Sequence, residues 1–126
     1  MRLRHLFAVN VLFALFFGAS CAVLPRWVFT LYGVHADGPA LWVTRLAGGS
    51  ILGFATLMWS GYKAASVESR RSIALALIVQ DLIGCVASLQ FQITYDVNTF
   101  GWFSLALYGI LALAYAFFFF FKPEAC

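Results

Sequence analysis

Charged residues are scarce in this sequence, and most of them lie between long apolar segments. Only 10% of the 126 residues are charged, whereas 63% are hydrophobic. A soluble domain of this size could not bury so much apolar surface, so the composition indicates an integral membrane protein. The formal net charge is only +3, and no basic tract offers a surface for nucleic acid.

Cysteine and histidine are also sparse, and their spacing does not suggest a metal site. Cys21, Cys85 and Cys126 fall at three different expected membrane depths, so we expect no disulfide. His5 and His35 lie outside the apolar segments, away from the position of a mid-membrane haem ligand. Without a nucleophile-base-acid set or a phosphate-binding glycine loop, we predict that the protein is not an enzyme and binds no metal.

Four apolar segments are long enough to cross a membrane, which requires about 20 helical residues each. They are 6–24, 40–59, 73–93 and 100–121. Span one follows a basic N-terminus, as in a secretory signal, but its apolar run is long for one, so we expect it to be retained. We predict a single all-α transmembrane domain over 1–126, an up-down-up-down four-helix bundle.

The segment between spans one and two predicts a short helix at the membrane surface. Pro25 suits a first helical turn, and Asp37-Gly-Pro39 ends whatever precedes it. A simple loop is the alternative. The expected interfacial anchors are Arg26, Trp27, Tyr32 and Arg45.

Basic residues predict the orientation. One side of the membrane would hold Arg2, Arg4, Lys63, Arg70, Arg71 and Lys122, and the other side Arg26 and Arg45. Because cytoplasmic loops are enriched in Lys and Arg, we expect both termini in the cytoplasm.

Small residues predict where the helices pack closely. Arg45, Gly49 and Gly53 share one face of span two, and small residues at this spacing let a second helix approach. The predicted packing positions are Gly18, Gly49, Gly53 and Gly84.

Asp81 is the most informative single residue, because it lies midway along span three, where a carboxylate is costly unless paired, hydrated or protonated. It is either a binding site, with Gln80 beside it, or a structural tie between helices. The candidate neighbours are Asn10, Ser50 and Tyr108, with Ser104 and Tyr115 on the same face of span four as Tyr108. A direct pair with Arg45 is disfavoured, because the two residues differ in depth by roughly 10 Å and their side chains lean apart.

A family resemblance rests on residues 25–50. The connector Tyr32-Gly-Val-His-Ala-Asp-Gly-Pro-Ala-Leu-Trp42 and the following Arg45-Leu-Ala-Gly48 resemble the small four-span bacterial membrane proteins of the DoxX-like group, many of unknown function. The resemblance implies a multi-pass protein of the bacterial inner membrane, with Arg45 and Gly48 as matching positions. It carries over no catalytic residue.

These patterns favour a non-enzymatic accessory or structural subunit, packed against a larger membrane complex of the respiratory or photosynthetic type. Its partners would be membrane lipids and other subunits, or further copies of itself. The alternative is a small oligomeric transporter or proton-coupled carrier that uses Asp81. No cofactor is predicted, although the aromatic face of span four offers a surface for a lipid, quinone or pigment tail.

Overall fold

The computed structural model describes residues 2–122, and almost all of them are helical. The helices are α1 (Leu3–Val23), α2 (Pro25–Tyr32), α3 (Gly38–Lys63), α4 (Val67–Thr94) and α5 (Thr99–Phe121). All but α2 are long and apolar enough to cross a membrane, and no strand occurs among residues 2–122. The chain is a multi-pass membrane protein, and the predicted all-α bundle is confirmed.

Polar side chains mark where the later helices begin. The Asp37 carboxylate accepts a hydrogen bond from the Ala40 amide at 2.9 Å, and Ser66 and Asn98 cap α4 and α5 in the same way. These caps satisfy amide groups that have no partner within the helix. The connections before α3, α4 and α5 therefore end, and these helices begin, at well-defined residues.

The short helix expected between spans one and two is present as α2. It ends at Gly33, whose φ of 70° is left-handed and suits a residue without a Cβ. Asn98, just before α5, donates from Nδ2 to the Leu31 carbonyl at 2.7 Å and from its backbone amide to the Tyr32 carbonyl at 3.1 Å. These bonds fasten α2 to the α4–α5 connection.

The spanning helices form two antiparallel pairs. α1 packs along its length against α3, and α4 packs likewise against α5, whereas contacts between the two pairs are far fewer. The direction is clear from glycine neighbours: Gly18, late in α1, lies beside Ile51, while Phe7, early in α1, lies beside Gly61. The two pairs therefore lie close together only where side chains fill the space between them.

Side chains fill that space at one end of the bundle, where α1 begins and α5 ends. Phe7 and Tyr115 are completely buried there, and their ring centroids are 5.8 Å apart. Met58 of α3 and Leu77 of α4 are each only 1% exposed. All four spanning helices thus meet in one core at this end.

The packing seam of α3 differs from the prediction. A Cβ added at Gly48 would lie 2.5 Å from the Ala22 nitrogen, whereas one added at Gly49 or Gly53 would meet nothing within 4 Å. The prediction that Gly49 and Gly53 pack against another helix of this chain is wrong. The face of α3 that meets α1 runs through Gly48 instead, one residue and about 100° around the helix.

The other two predicted positions do lie at close helix contacts. A Cβ at Gly18 would stand 3.1 Å from Ile51 and Leu52 side chains of α3. A Cβ at Gly84 of α4 would stand 2.7 Å from the ring of Tyr108 in α5. Each glycine thus belongs to the contact within one helix pair.

Candidate functional site: a cavity at Asp81

A cavity of about 320 Å³ lies between the two helix pairs, beyond the packed core. All four spanning helices contribute to its wall, which is mostly apolar and rich in phenylalanine. The polar residues on the wall are Asn10, Gln80, Asp81, Ser104 and Tyr108. Asp81 is the only charged residue among those described that line it.

Asp81 faces inward because of its position in the pattern of α4. The buried residues of this helix are Ala74, Leu77, Ile78 and Asp81, a spacing of three and four residues that defines one helical face. Asp81 continues the core-facing stripe and is only 3% exposed. The carboxylate is therefore placed inside the bundle by the same periodicity that buries its apolar neighbours.

The Asp81 carboxylate lacks a partner within the described chain. Its Oδ2 atom is buried and accepts no hydrogen bond from residues 2–122, and the same is true of Oε1 of Gln80. A buried acceptor without a donor costs free energy, and more so for a carboxylate. Two neighbouring residues thus direct unsatisfied acceptors into the inter-pair region.

We call the end of the bundle where α1 begins and α5 ends the inner end, and the opposite end the outer end. At the inner end, a chain of buried polar groups closes the cavity. Nδ2 of Asn10 donates to the Tyr115 hydroxyl at 2.9 Å, and that hydroxyl donates to Sδ of Met58 at 3.6 Å. The chain links α1, α5 and α3. Since the Asn10 amide is engaged here, Asn10 does not tie Asp81 to α1.

The outer end of the cavity is closed by α2. The hydroxyls of Tyr32 and Ser104 are hydrogen-bonded to each other. The Tyr32 ring meets the rings of Phe91 and Phe100 edge-on, with centroids 6.1 and 5.1 Å away. Burial raises the pKa of the Tyr32 phenol above its usual value, although the hydrogen bond with Ser104 acts in the opposite direction.

The structure brings most of the candidate polar residues together, since Asn10, Gln80 and Tyr108 line the same cavity as Asp81. Ser50 does not, and its inclusion was wrong. Ser50 is exposed, and its hydroxyl donates to the Leu46 carbonyl of its own helix at 3.2 Å. Like Gly49, it is exposed, and it does not line the cavity.

The expected interfacial anchors behave differently from one another. Arg26, Trp27 and Arg45 are exposed, whereas Tyr32 is half-buried and turned toward the bundle. Tyr32 is therefore part of the closed outer end of the cavity. No ion pair joins Arg45 to Asp81, because one is exposed on the outside of α3 and the other is enclosed between the pairs.

Of the residues in the polar chain at the inner end, the sequence indicates Tyr115 but not Met58. Tyr115 was recognisable, because it follows Tyr108 by seven residues and shares its helical face. Met58 gave no such signal, since a methionine in an apolar helix is indistinguishable from any other core residue. Its role follows only from the antiparallel register of α3 beside α1.

Basic side chains at the inner end of the bundle rest on aromatic rings. Arg71 lies 4.7 Å from the ring centroid of Phe119, Lys63 lies 4.9 Å from Trp59, and Arg4 lies 5.0 Å from Tyr62. Such cation-π contacts hold the cations at the rim of an apolar surface. The end of the bundle where α1 begins and α5 ends is therefore basic.

Metal chemistry has no obvious site in the part of the chain that the structure describes. No group of three or more His, Cys, Asp or Glu side chains could hold a metal ion there. Cys21 and Cys85 are free thiols, and Cys126 lies outside the described residues. The polar groups around Asp81 are instead arranged as hydrogen-bonding groups on an apolar wall.

Comparisons with known proteins do not assign a function. No protein-family model, curated protein or solved structure matches the chain. The resemblance to DoxX-like proteins therefore stays a prediction. The cavity is the feature that bears on function. Binding sites for small molecules are typically apolar with few polar groups. The cavity therefore suits an apolar molecule that carries a hydrogen-bonding group.

Proposed function

We propose that this protein is a small, non-enzymatic membrane carrier that binds a lipophilic molecule in the cavity at Asp81. The observation that supports the proposal is a mainly apolar cavity that reaches the buried Asp81 carboxylate, whose Oδ2 atom has no hydrogen-bond partner among residues 2–122. The sequence favoured an accessory subunit over a carrier. The cavity reverses that preference, because a carrier requires a space at Asp81 and a structural subunit does not.

The free energy of burial favours a binding role for Asp81. A carboxylate at this depth is costly, and a structural tie would offset the cost through hydrogen bonds to a neighbouring helix. No described residue provides such a bond to Oδ2. A ligand that supplies the missing donor would offset the cost only while bound, which is the behaviour expected of a binding site.

The proposal is tested by asking what the protein retains from its own membranes. Gentle extraction followed by native mass spectrometry should find a small lipophile on the wild-type protein, and proteoliposomes should then transport it. Asp81→Leu, which removes the carboxylate and its acceptor oxygens, should weaken both properties. Asp96→Asn is the matched control, because Asp96 is exposed in the α4–α5 connection, and this variant should behave as wild type. Equal retention and transport by all three proteins would show that Asp81 forms no site.

We also infer a bacterial inner-membrane location with both termini in the cytoplasm. The support is the basic end of the bundle, where Arg4, Lys63 and Arg71 lie on aromatic rings. Cytoplasmic ends of spanning helices are enriched in such residues, and long cationic side chains reach headgroups from an apolar surface.

A second candidate function, a subunit that packs against another membrane protein, is favoured by the outward face of α3. Gly49 and Gly53 are exposed with open space beyond them, and small residues of this kind permit close approach of a foreign helix. The double variant Gly49→Leu, Gly53→Leu should then release companion polypeptides during gentle purification. Ala47→Leu, exposed on another side of α3, should not. Purification of the wild type as a lone protomer would contradict this candidate.

A further inference from the structure

The route into the cavity is visible in the helices that flank it. α1 and α5 make few contacts with each other, and the polar and ring contacts between them, from Asn10 and Phe7 to Tyr115, lie at the inner end. Further out, Phe16 of α1 and Phe103 of α5 both line the cavity yet remain 68% and 55% exposed. The gap between α1 and α5 is therefore open on the side that faces lipid.

The two ends of the bundle offer no comparable route. The inner end is filled by Phe7, Met58 and Tyr115, none of which is more than 1% exposed. At the outer end, Tyr32 of α2 is hydrogen-bonded to Ser104 and packs on Phe100. On the sides of the bundle, the exposed residues that line the cavity belong to α1 and α5, and none of those from α3 or α4 is exposed. The route to Asp81 therefore lies between α1 and α5, from the bilayer.

The polar groups on the wall indicate what the molecule must carry. Asn10 donates to Tyr115, and Ser104 is bonded to Tyr32, so both are engaged. What is left unsatisfied is a pair of acceptors, Oδ2 of Asp81 and Oε1 of Gln80. Such a pair is satisfied by a hydroxyl or an amine, and not by an ether or an alkane.

The size of the space limits the rest of the molecule. About 320 Å³ is at the lower end of the volume range of small-molecule sites, roughly 300–1,000 Å³. Among the described residues of the wall there is no Lys, Arg or His to pair with a phosphate. A single apolar chain with a small head fits these limits, whereas a two-chain phospholipid does not.

We propose that the cavity takes a single-chain lipophile from the bilayer, sideways between α1 and α5, and holds its hydrogen-bond-donor head, an alcohol or amine, at Asp81 and Gln80. This inference rests on the proposed function and specifies its ligand class. The tail lies along Phe16 and Phe103 toward the lipid.

The test uses the full-length protein in lipid nanodiscs with three photoreactive probes. The probes share one alkyl chain with a diazirine near its end and differ only in the head, which is a hydroxyl, an amine or a methyl ether. After irradiation, mass spectrometry measures the labelling yield and the labelled peptides. The hydroxyl and amine probes should label the wild type about tenfold more than the ether, since an unsatisfied buried acceptor costs about 1.4 kcal/mol or more.

Variants separate the role of the head from general partitioning into the nanodisc. The double variant Gln80→Leu, Asp81→Leu removes both unsatisfied acceptors but keeps apolar side chains at membrane-buried positions, so it should remain folded and label equally with all three probes. Asp96→Asn should keep the preference for the donor heads. Label should fall on the α1 and α5 peptides that contain Phe16 and Phe103.

The possible results distinguish this inference from the function on which it rests. Equal cavity labelling of the wild type by ether and alcohol would overturn the donor head but leave a lipophile site in place. Label confined to the α2 peptide around Tyr32 would overturn entry from the bilayer. Absence of cavity labelling by every probe, in a wild-type protein shown to be folded, would contradict the binding function itself.

Discussion

Gly48→Ala should weaken the packing of α1 against α3 more than any other alanine substitution of a glycine in these two helices. The added Cβ would lie 2.5 Å from the Ala22 nitrogen and 2.7 Å from the Gly18 carbonyl oxygen. Both atoms belong to the backbone of α1, so no side chain can rotate to relieve the overlap. The two helices must move apart.

The free-energy cost arises because that movement weakens the van der Waals contacts between α1 and α3. Overpacking a well-packed site typically costs about 1–3 kcal/mol, and a gap of about 0.5–1 Å along a contact forfeits a quarter to a half of its dispersion energy. Because α1 and α3 are in contact along their length, we expect the upper part of this range, about 2–3 kcal/mol. Gly49→Ala is the matched control, since its Cβ meets nothing within 4 Å.

The measurement is unfolding of the purified protein in mixed micelles with increasing SDS, followed by the fluorescence of its 4 tryptophans. Comparing Gly48→Ala with Gly49→Ala cancels the intrinsic helix preference of alanine over glycine, because both sites are interior to α3. Gly18→Ala should fall between them, because its closest neighbours are side chains of Ile51 and Leu52 at 3.1 Å. Equal stability of Gly48→Ala and Gly49→Ala would refute the assigned packing face.

Three further predictions concern other parts of the fold. Tyr115→Phe removes the acceptor of the Asn10 amide and should lower the free energy of unfolding by about 0.6 kcal/mol, and by no more than about 1.7 kcal/mol. A double-mutant cycle with Asn10→Ala isolates the energy of this hydrogen bond. A coupling energy of zero would contradict the bond. Gly33→Ala places a Cβ at a φ of 70° and should cost about 1–2 kcal/mol in the same assay, whereas Gly38→Ala, with open space around it, should cost less. Fusions at either terminus should give fluorescent green fluorescent protein and inactive alkaline phosphatase, because the proposed orientation places the basic end of the bundle in the cytoplasm. Active phosphatase at either terminus would contradict that orientation.

Prediction from sequence succeeded where a property depends on one helix alone. Span length and hydropathy predicted the four long helices, and Pro25 together with Asp37-Gly-Pro39 predicted α2. Asp81 was recognised because a carboxylate in the middle of an apolar span is unusual whatever surrounds it. Its neighbour Gln80 and the facing Tyr108 followed from helical spacing.

Prediction failed where two faces of one helix look alike in sequence. α3 carries small residues at both Gly48 and Gly49, which point in directions about 100° apart. In a membrane both the lipid-facing and the protein-facing sides are apolar, so hydropathy does not distinguish them. The prediction chose the Gly49 face, whereas the structure packs the Gly48 face against α1. The separate prediction of Ser50 as a neighbour of Asp81 also failed, because Ser50 is exposed and bonds to its own helix.

Crossing of a membrane, the number of crossings and the single acidic residue midway along a span, Asp81, can all be predicted from the sequence. These properties depend on the free energy of exposing polar groups to hydrocarbon. That free energy is determined by each segment separately. The pairing of α1 with α3 and of α4 with α5, and the cavity between the pairs, are features of the packed structure alone. So is the lack of a hydrogen-bond partner for Oδ2 of Asp81 among residues 2–122. Those features depend on how side chains of different helices fit together, because without a hydrophobic effect between helices in lipid, close packing selects the arrangement.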